Sequence, residues 1–517
     1  MRFFLLILLL TGCAAPPAPR PERLNISFHS MPQTADPGKC GDFLSATLIC
    51  MIFEGLTRSA SDGSVDFALA KSVEISEDGL TYLFHLRPSF WSDGTLVTAH
   101  DFVKSWKRAI HPDSLSSYLF YPIKNAEKAC KGDCGYDEIG LRALSDNALE
   151  VILDQKTDYF LSLTAFPSYL PAPSHAAIEI SNEPSAFVSN GPFLLDSINT
   201  HSHLLLKKNS LYWNSRAISL DEIQISIISN EATAMRMFSQ GELDCLGASI
   251  SPILPDSIKS LKDKFPLQKF PMGATTFVAL KNDHPYLKCR QLRQALALAV
   301  NRRELIERIT QMEETPAASF IPPSLLSNQI RELYPLFDPI AAREHFALAL
   351  QELRIAPEEI SLTLSYSASE LNTRLAQALQ THWKEVLGLN IELDAKEAHC
   401  FKELLYHREF DLALAFWIAQ FLDPINILER LEDPKNWKNY SGWDHAGFRE
   451  KIRLVRQGNE RMRQIEDAEE ILASEMPLIP LYHWSNLVLC NPRVQNLQVN
   501  PNGAILFEKA TIPHPPQ

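Results

Sequence analysis

The sequence predicts an α/β protein, because strand-like and helix-like patterns alternate along nearly its whole length. The chain has 517 residues, enough for two or three compact lobes, and 45% of them are hydrophobic, which suits a globular core. Leu80 to Leu86 reads as a strand after the Asp78-Gly79 turn, and Leu204 to Lys208 and Ile223 to Ile228 read as strands too. Helices are expected at Arg290 to Val300, at Pro339 to Leu353 with Asp338 as N-cap, and at Leu371 to Leu387 with Gly388 just beyond. Strands are expected again at Ile360 to Tyr366, Leu389 to Leu393 and Phe410 to Trp417. A helix from Glu460 to Ala473 precedes Pro477, which opens a strand-like run through Leu489. No internal repeat appears in this order, and no long disordered linker follows residue 23.

The N-terminus carries an export signal. Arg2 is the only charge before the apolar run Phe3 to Leu10, which is too short to span a bilayer, since that needs roughly 20 residues. Leu10-Thr11-Gly12-Cys13 then looks like a lipobox, so residues 1–12 are read as a signal peptide and Cys13 as the lipidated residue. Residues 13–23, rich in Pro and Ala, form an extended tether. These features imply a lipid-anchored protein of the bacterial cell envelope, on the periplasmic side of the membrane. Net charge is −13, which argues against nucleic acid or anionic lipid as a partner.

Catalytic and metal-binding patterns are missing. There is no GxSxG elbow, HExxH or P-loop. Glu344-His345 lacks a second His one turn on, and the fifteen His residues are scattered. The carboxylate pairs Glu313-Glu314 and Glu469-Glu470 read as solvated helix or loop surface. Nine cysteines are dispersed along the chain. The one close pair, Cys130 and Cys134, either closes a small disulfide loop or stays as two thiols; a metal site would need further ligands that are not apparent. No metal and no cofactor are expected.

The most informative stretch is Trp91 to Arg108, WSDGTLVTAHDFVKSWKR. Ser92-Asp93-Gly94 makes a turn. Thr98 is a good N-cap with Asp101 three residues later, and Phe102, Val103 and Trp106 recur at helical spacing. By itself that pattern is a surface helix. As a string it closely resembles the signature of the extracellular solute-binding proteins, family 5, which serve peptide and nickel ABC transporters. Phe53-Glu54-Gly55-Leu56, Asn190-Gly191-Pro192-Phe193, Lys208 to Trp213, Arg293 to Arg302 and Ile479 to Tyr482 match further family segments in the same order. The resemblance covers Leu24 to about Phe507 and is nearest to oligopeptide-binding lipoproteins.

The resemblance implies a two-lobed periplasmic-binding-protein fold with mixed sheets, two hinge strands and an extra inserted domain. Lobe I would combine residues 24–52, 187–269 and 485–517. The inserted domain would be 53–186, and lobe II 270–484. Crossings would fall near Lys269-Phe270-Pro271 and Leu481-Tyr482-His483. It also implies a monomer, not an enzyme, that captures oligopeptides in an interlobe cleft and delivers them to ABC permease subunits.

In the family, the segment Phe416 to Pro424 lines that cleft, so Trp417, Ile418, Ala419, Gln420 and Asp423 are candidate ligand contacts. Gly41, Asp42 and Phe43 align with a loop whose backbone pairs with bound peptide by strand addition. Tyr121 and Trp484 are further candidate walls. Two positions depart from the pattern. Relatives usually carry Asp where this chain has Gln420, to hold the peptide ammonium, and close relatives can carry Arg where it has Leu414. Either Asp423 takes over the ammonium, or the ligand is blocked or modified, for instance a murein-derived peptide. A secreted hydrolase, a receptor-like lipoprotein that lost transport, and a nickel or haem binder are the alternatives of other classes.

Overall fold

A computed structural model describes residues 21–513, apart from 115, 177, 179–186, 200–201, 248–249, 459 and 501–502. The signal peptide, Cys13 and the tether up to residue 20 lie outside the described residues. Three sheets organise the chain. A four-stranded sheet has the order Arg23–Phe28, Glu222–Ile227, His203–Lys208 and Phe193–Asn199, its first pair parallel and the rest antiparallel. A second, wholly antiparallel sheet of four strands is formed by residues 70–86 and 141–152. The third has seven strands and joins Cys245–Gly247, Leu478–Cys490, Leu267–Leu280, Leu412–Ile418, Thr363–Ser367 and Glu392–Lys396 in that order, with Thr315–Pro316 beside Leu478–Cys490.

Segments far apart in sequence converge on one buried junction. Glu54 is buried; it takes a very short hydrogen bond from the Tyr212 hydroxyl and an ion pair from Arg58 at 3.7 Å. Asn190, fully buried, accepts from Glu54 N–H and donates to Glu54 C=O, both at 3.0 Å. Asn209 Nδ2 donates to Gly191 C=O at 2.9 Å. Gly191 must be glycine for space, since a Cβ there would lie 2.3 Å from the Ile52 carbonyl carbon. The sequence matches around residues 53, 190 and 209 are therefore parts of one joint. It ties the first four-stranded sheet to the region that begins at residue 53.

The helix Ala99–Ala109 is not a surface element. Phe102 and Trp106 are fully buried, and Trp106 Nε1 donates to Tyr169 C=O at 2.7 Å. Its N-terminus is closed as the sequence suggests, with Asp101 accepting from Thr98 N–H at 2.8 Å. At the other end Arg108 forms a two-pronged ion pair with the buried Asp36, at 2.6 and 2.9 Å, and so clamps this region to the N-terminal segment.

The segments read as crossings lie inside two long strands, Leu267–Leu280 and Leu478–Cys490, which pair antiparallel. Pairing is interrupted between Pro271 and Thr275 and again between Thr276 and Phe277. Such irregularities bend the strand and concentrate dihedral freedom. Arg302, fully buried, braces the far side by donating to Pro480 C=O at 2.7 Å, Leu336 C=O at 2.9 Å and Ala297 C=O at 3.1 Å.

Two further expectations need correction, and one alternative left open is narrowed. The apolar run Leu389 to Leu393 gives a strand only at Glu392–Lys396, because Leu389 and Ile391 bury themselves in the connection after the helix Glu370–Leu387. Glu469 is not solvated. It is fully buried and accepts from Ile321 N–H at 2.9 Å, Phe320 N–H at 3.0 Å and Arg331 at 2.7 Å. Cys130 and Cys134 are two free thiols that face different partners: Cys130 Sγ meets the Tyr121 hydroxyl at 3.6 Å, and Cys134 reaches Asn125 C=O at 3.7 Å.

Candidate functional site

The strand Leu412–Ile418 lies against the first crossing strand, with Trp417 opposite Thr275 and Ile418 opposite Ala274. Ala419 N–H then donates to Gly273 C=O at 2.7 Å, and the chain leaves the sheet at Gln420. This exit opens on two adjoining cavities, of about 810 Å³ and 340 Å³, that share Tyr118, Leu119 and Gln420 as walls.

The smaller cavity brings together six of the expected residues: Gly41, Asp42, Phe43, Ile418, Ala419 and Gln420. Asp42 is also the N-cap of the helix Phe43–Ile52. Its carboxylate accepts from Ser45 N–H at 2.9 Å and from Ser45 Oγ–H at 2.6 Å. The larger cavity takes in Tyr121 and Gln420. Burial raises the Tyr121 hydroxyl to about 12, so it stays a neutral hydrogen-bonding group.

Three expected residues do not line either cavity. Trp417 is buried behind the wall, 4.5 Å from Phe277 between ring centroids, with the Arg430 guanidinium 5.4 Å from its own ring. Asp423 is already engaged by its neighbours. It accepts from Ile425 N–H at 2.9 Å and from Arg461 at 2.5 Å, and burial still raises its pKa against that attraction. It is therefore not free to replace the absent anion at position 420. Trp484 packs against Phe416 at 5.2 Å and donates to Thr276 Oγ1 at 2.8 Å, beside the crossing strands.

The cleft is held by residues that sequence reading overlooked. Tyr118, on the turn Ser117–Phe120, meets the Gln420 side chain through its hydroxyl, and Lys438 Nζ sits 4.4 Å from the centre of its ring. Tyr159 stacks on Phe421 at 4.1 Å with rings nearly parallel. Arg461 reaches Asp158 at 3.7 Å. Each contact joins the region before residue 187 to the region after 417, so the lobes meet across the cavities. The only sequence clue was the interleaving of basic and aromatic side chains in Trp437-Lys438-Asn439-Tyr440. Among the described residues, no group of three or more His, Cys, Asp or Glu can hold a metal ion, and no helix is long and apolar enough to cross a membrane.

Lobes joined by paired crossing strands, with cavities walled from both sides, define a two-lobed binding protein. The chain belongs to the bacterial extracellular solute-binding proteins, family 5, whose model matches residues 65–439. It is 30% identical to the oligopeptide-binding protein of Bacillus subtilis (strain 168), over 94% of this chain and 92% of that protein. It is 27% identical to the periplasmic murein peptide-binding protein of Escherichia coli (strain K12), over 91% and 89%. The solved unliganded open form of a periplasmic murein tripeptide-binding protein shares its fold, with a TM-score of 0.80 at 23% identity, covering 95% of this chain and 97% of that one.

Proposed function

We propose that this protein is the solute-binding component of an ABC importer and captures oligopeptides between its lobes. One observation carries the reading: two adjoining cavities whose walls come from both sides of a pair of crossing strands. A ligand that touches both walls stabilises the closed arrangement over the open one by its differential contacts. Gly41, Asp42 and Phe43 would offer backbone groups to an extended peptide, a mode that gives affinity without reading side chains. Gln420 would hydrogen-bond through its amide where an anion would hold a free ammonium. Closure would then align the outer faces for the permease. Lipid on Cys13 and the tether would hold the monomer at the periplasmic side of the membrane.

A peptide with a modified or murein-derived end is the second reading. Gln420 favours it, since Asp423 is already paired with Arg461 and an ammonium buried without an anion costs several kcal/mol. Native mass spectrometry of protein purified from membranes tests both readings. A retained peptide mass supports capture, and its fragmentation separates linear from murein-derived ligands. Retention of a non-peptide solute alone, with no binding of either peptide class by calorimetry, refutes the proposal.

A further inference from the structure

We propose that Asp158 and Arg461 form a latch across the cleft, outside both ligand cavities, which draws the two sides together and adds the same factor to the affinity for every ligand. The inference rests on the two-lobed binding reading and adds a device that biases closure.

Arg461 occupies the first position of the helix Arg461–Glu475. A cation there opposes the helix dipole. The preceding Glu460 holds a left-handed backbone at φ 45° and gives the helix no side-chain cap. Local helix stability therefore does not account for this pair of residues. Two carboxylates from elsewhere offset the misplaced charge. Arg461 Nη2 meets Asp423 at 2.5 Å, and Nε faces Asp158 at 3.7 Å. Asp423 and Arg461 both lie after residue 417, whereas Asp158 comes from the region before residue 187. The helix itself is anchored by the buried Glu469, which holds Phe320, Ile321 and Arg331.

Asp158 is presented from an equally firm mount. Thr157, buried, donates its hydroxyl to Gln155 C=O at 3.0 Å. Phe160, fully buried, packs edge-on against Tyr82 at 5.0 Å. Between them Asp158 also meets Lys156 Nζ at 3.5 Å, and Tyr159 stacks on Phe421 across the cleft. The space left between Asp158 and Arg461 is a cavity of about 20 Å³, room for about one water. The two sides thus touch here almost without solvent.

Neither Asp158 nor Arg461 lines the two larger cavities, so a ligand held there does not meet them. Opening the cleft separates the pair, and closing restores it, whatever the ligand. Asp158 is 37% exposed in its side chain, which keeps the attraction modest, up to about fivefold in an equilibrium. When the closed arrangement is the minor one, that factor multiplies every apparent affinity alike. It acts on how long a ligand stays and leaves the ranking of ligands unchanged.

Asp158→Lys, which sets a cation against Arg461, tests the latch in the full mature chain, with Asp158→Glu as the variant that keeps it. Thermal unfolding confirms that each is folded. Small-angle scattering of ligand-stripped protein should give a larger radius of gyration for Asp158→Lys than for wild type or Asp158→Glu. About 1 M NaCl should expand the wild type toward the Asp158→Lys value, because screening then reaches within about 3 Å. Calorimetry with trialanine, pentaalanine and N-acetylated pentaalanine should show Asp158→Lys weakening each by about fivefold, alike to within about twofold. Identical scattering together with unchanged affinities refutes the latch. Weakening confined to one peptide also refutes it, since Asp158 would then act through contact with that ligand. If none of the peptides binds, the peptide-capture reading fails, and scattering alone decides the latch: identical curves refute it and an expanded variant supports it.

Discussion

His483 should make the protein acid-sensitive at the point where the lobes join. It sits in the second crossing strand, between Thr275 on one side and Thr315 on the other. It is 3% exposed, with Nδ1 2.8 Å from Thr275 Oγ1 and Nε2 buried without a partner. Burial alone pulls its pKa from 6.5 to about 3. The unfolded chain therefore takes up the proton first. Stability from this residue is fully present above the unfolded pKa and is lost as pH falls from about 6.5 toward 3. At about pH 4.5 two units of that window have been crossed, which corresponds to about 2.7 kcal/mol at about 1.36 kcal/mol per unit. His483→Asn removes the titration and keeps a polar atom near the position of Nδ1. Urea unfolding of both proteins at about pH 7.5 and pH 4.5 isolates the term, since the carboxylates titrate alike in the two and cancel in the difference. Acidification should move the stability gap by about 2.7 kcal/mol in favour of the variant. A gap that stays constant to within about 0.5 kcal/mol would mean that His483 is not held neutral, and the reasoning from burial would be wrong.

Other sites give sharper mechanical tests. Glu469→Gln should cost about 3 kcal/mol, read as a lower urea midpoint at unchanged slope, because the amide turns a donor toward Arg331 and leaves that charge poorly matched. Gly191→Ala should cost about 3 kcal/mol or abolish soluble expression, since the new methyl meets backbone of Ile52 and Phe53 at 2.3 and 2.5 Å and neither can retreat cheaply. Cys245 and Cys490 face each other across paired strands, both buried, with their sulfurs 3.3 Å apart. Exchange with oxidised glutathione during refolding should join them, releasing two reduced glutathiones, and peptide mapping should find that link while Cys130 and Cys134 remain thiols.

Much of the scaffold was legible because local chemistry and tertiary context agree. Asp338 and Pro339 open the helix Pro339–Leu353, and Gly388 closes the helix Glu370–Leu387 in a left-handed conformation at φ 72°. Caps and turns are decided within a few residues, so one sequence exposes them. The sequence misplaces the strand at Glu392 because Leu389 and Ile391 advertise burial, and apolar runs do not distinguish burial from pairing. Glu469 looks like surface in the sequence for the related reason that a charged residue on a helix reports nothing about what approaches from elsewhere. The site was the least legible part. Its composition depends on Tyr118, Gln420, Arg430 and Lys438 meeting across about 300 positions of sequence, and their types are ordinary one by one. The family resemblance located the segment around Trp417, yet the residues that line the cavities there are Ile418, Ala419, Gln420 and Phe421, with Trp417 packed behind them beside Arg430.

The pairing of the two crossing strands also constrains how the chain can fold. Thr275 and His483 meet although they are 208 positions apart. The late strand Leu478–Cys490 lies between Cys245–Gly247 and Leu267–Leu280, in the interior of the seven-stranded sheet. A polypeptide that emerges N-terminus first can assemble its early four-stranded sheets, but the large sheet stays open along one side until nearly the last residues arrive. Pairings of such long sequence separation form slowly, because the intervening loop must be closed before any contact compensates for it. Transit across a membrane through a narrow channel therefore suits this topology: no prefix of the chain can lock into the finished two-lobed form before the whole has passed.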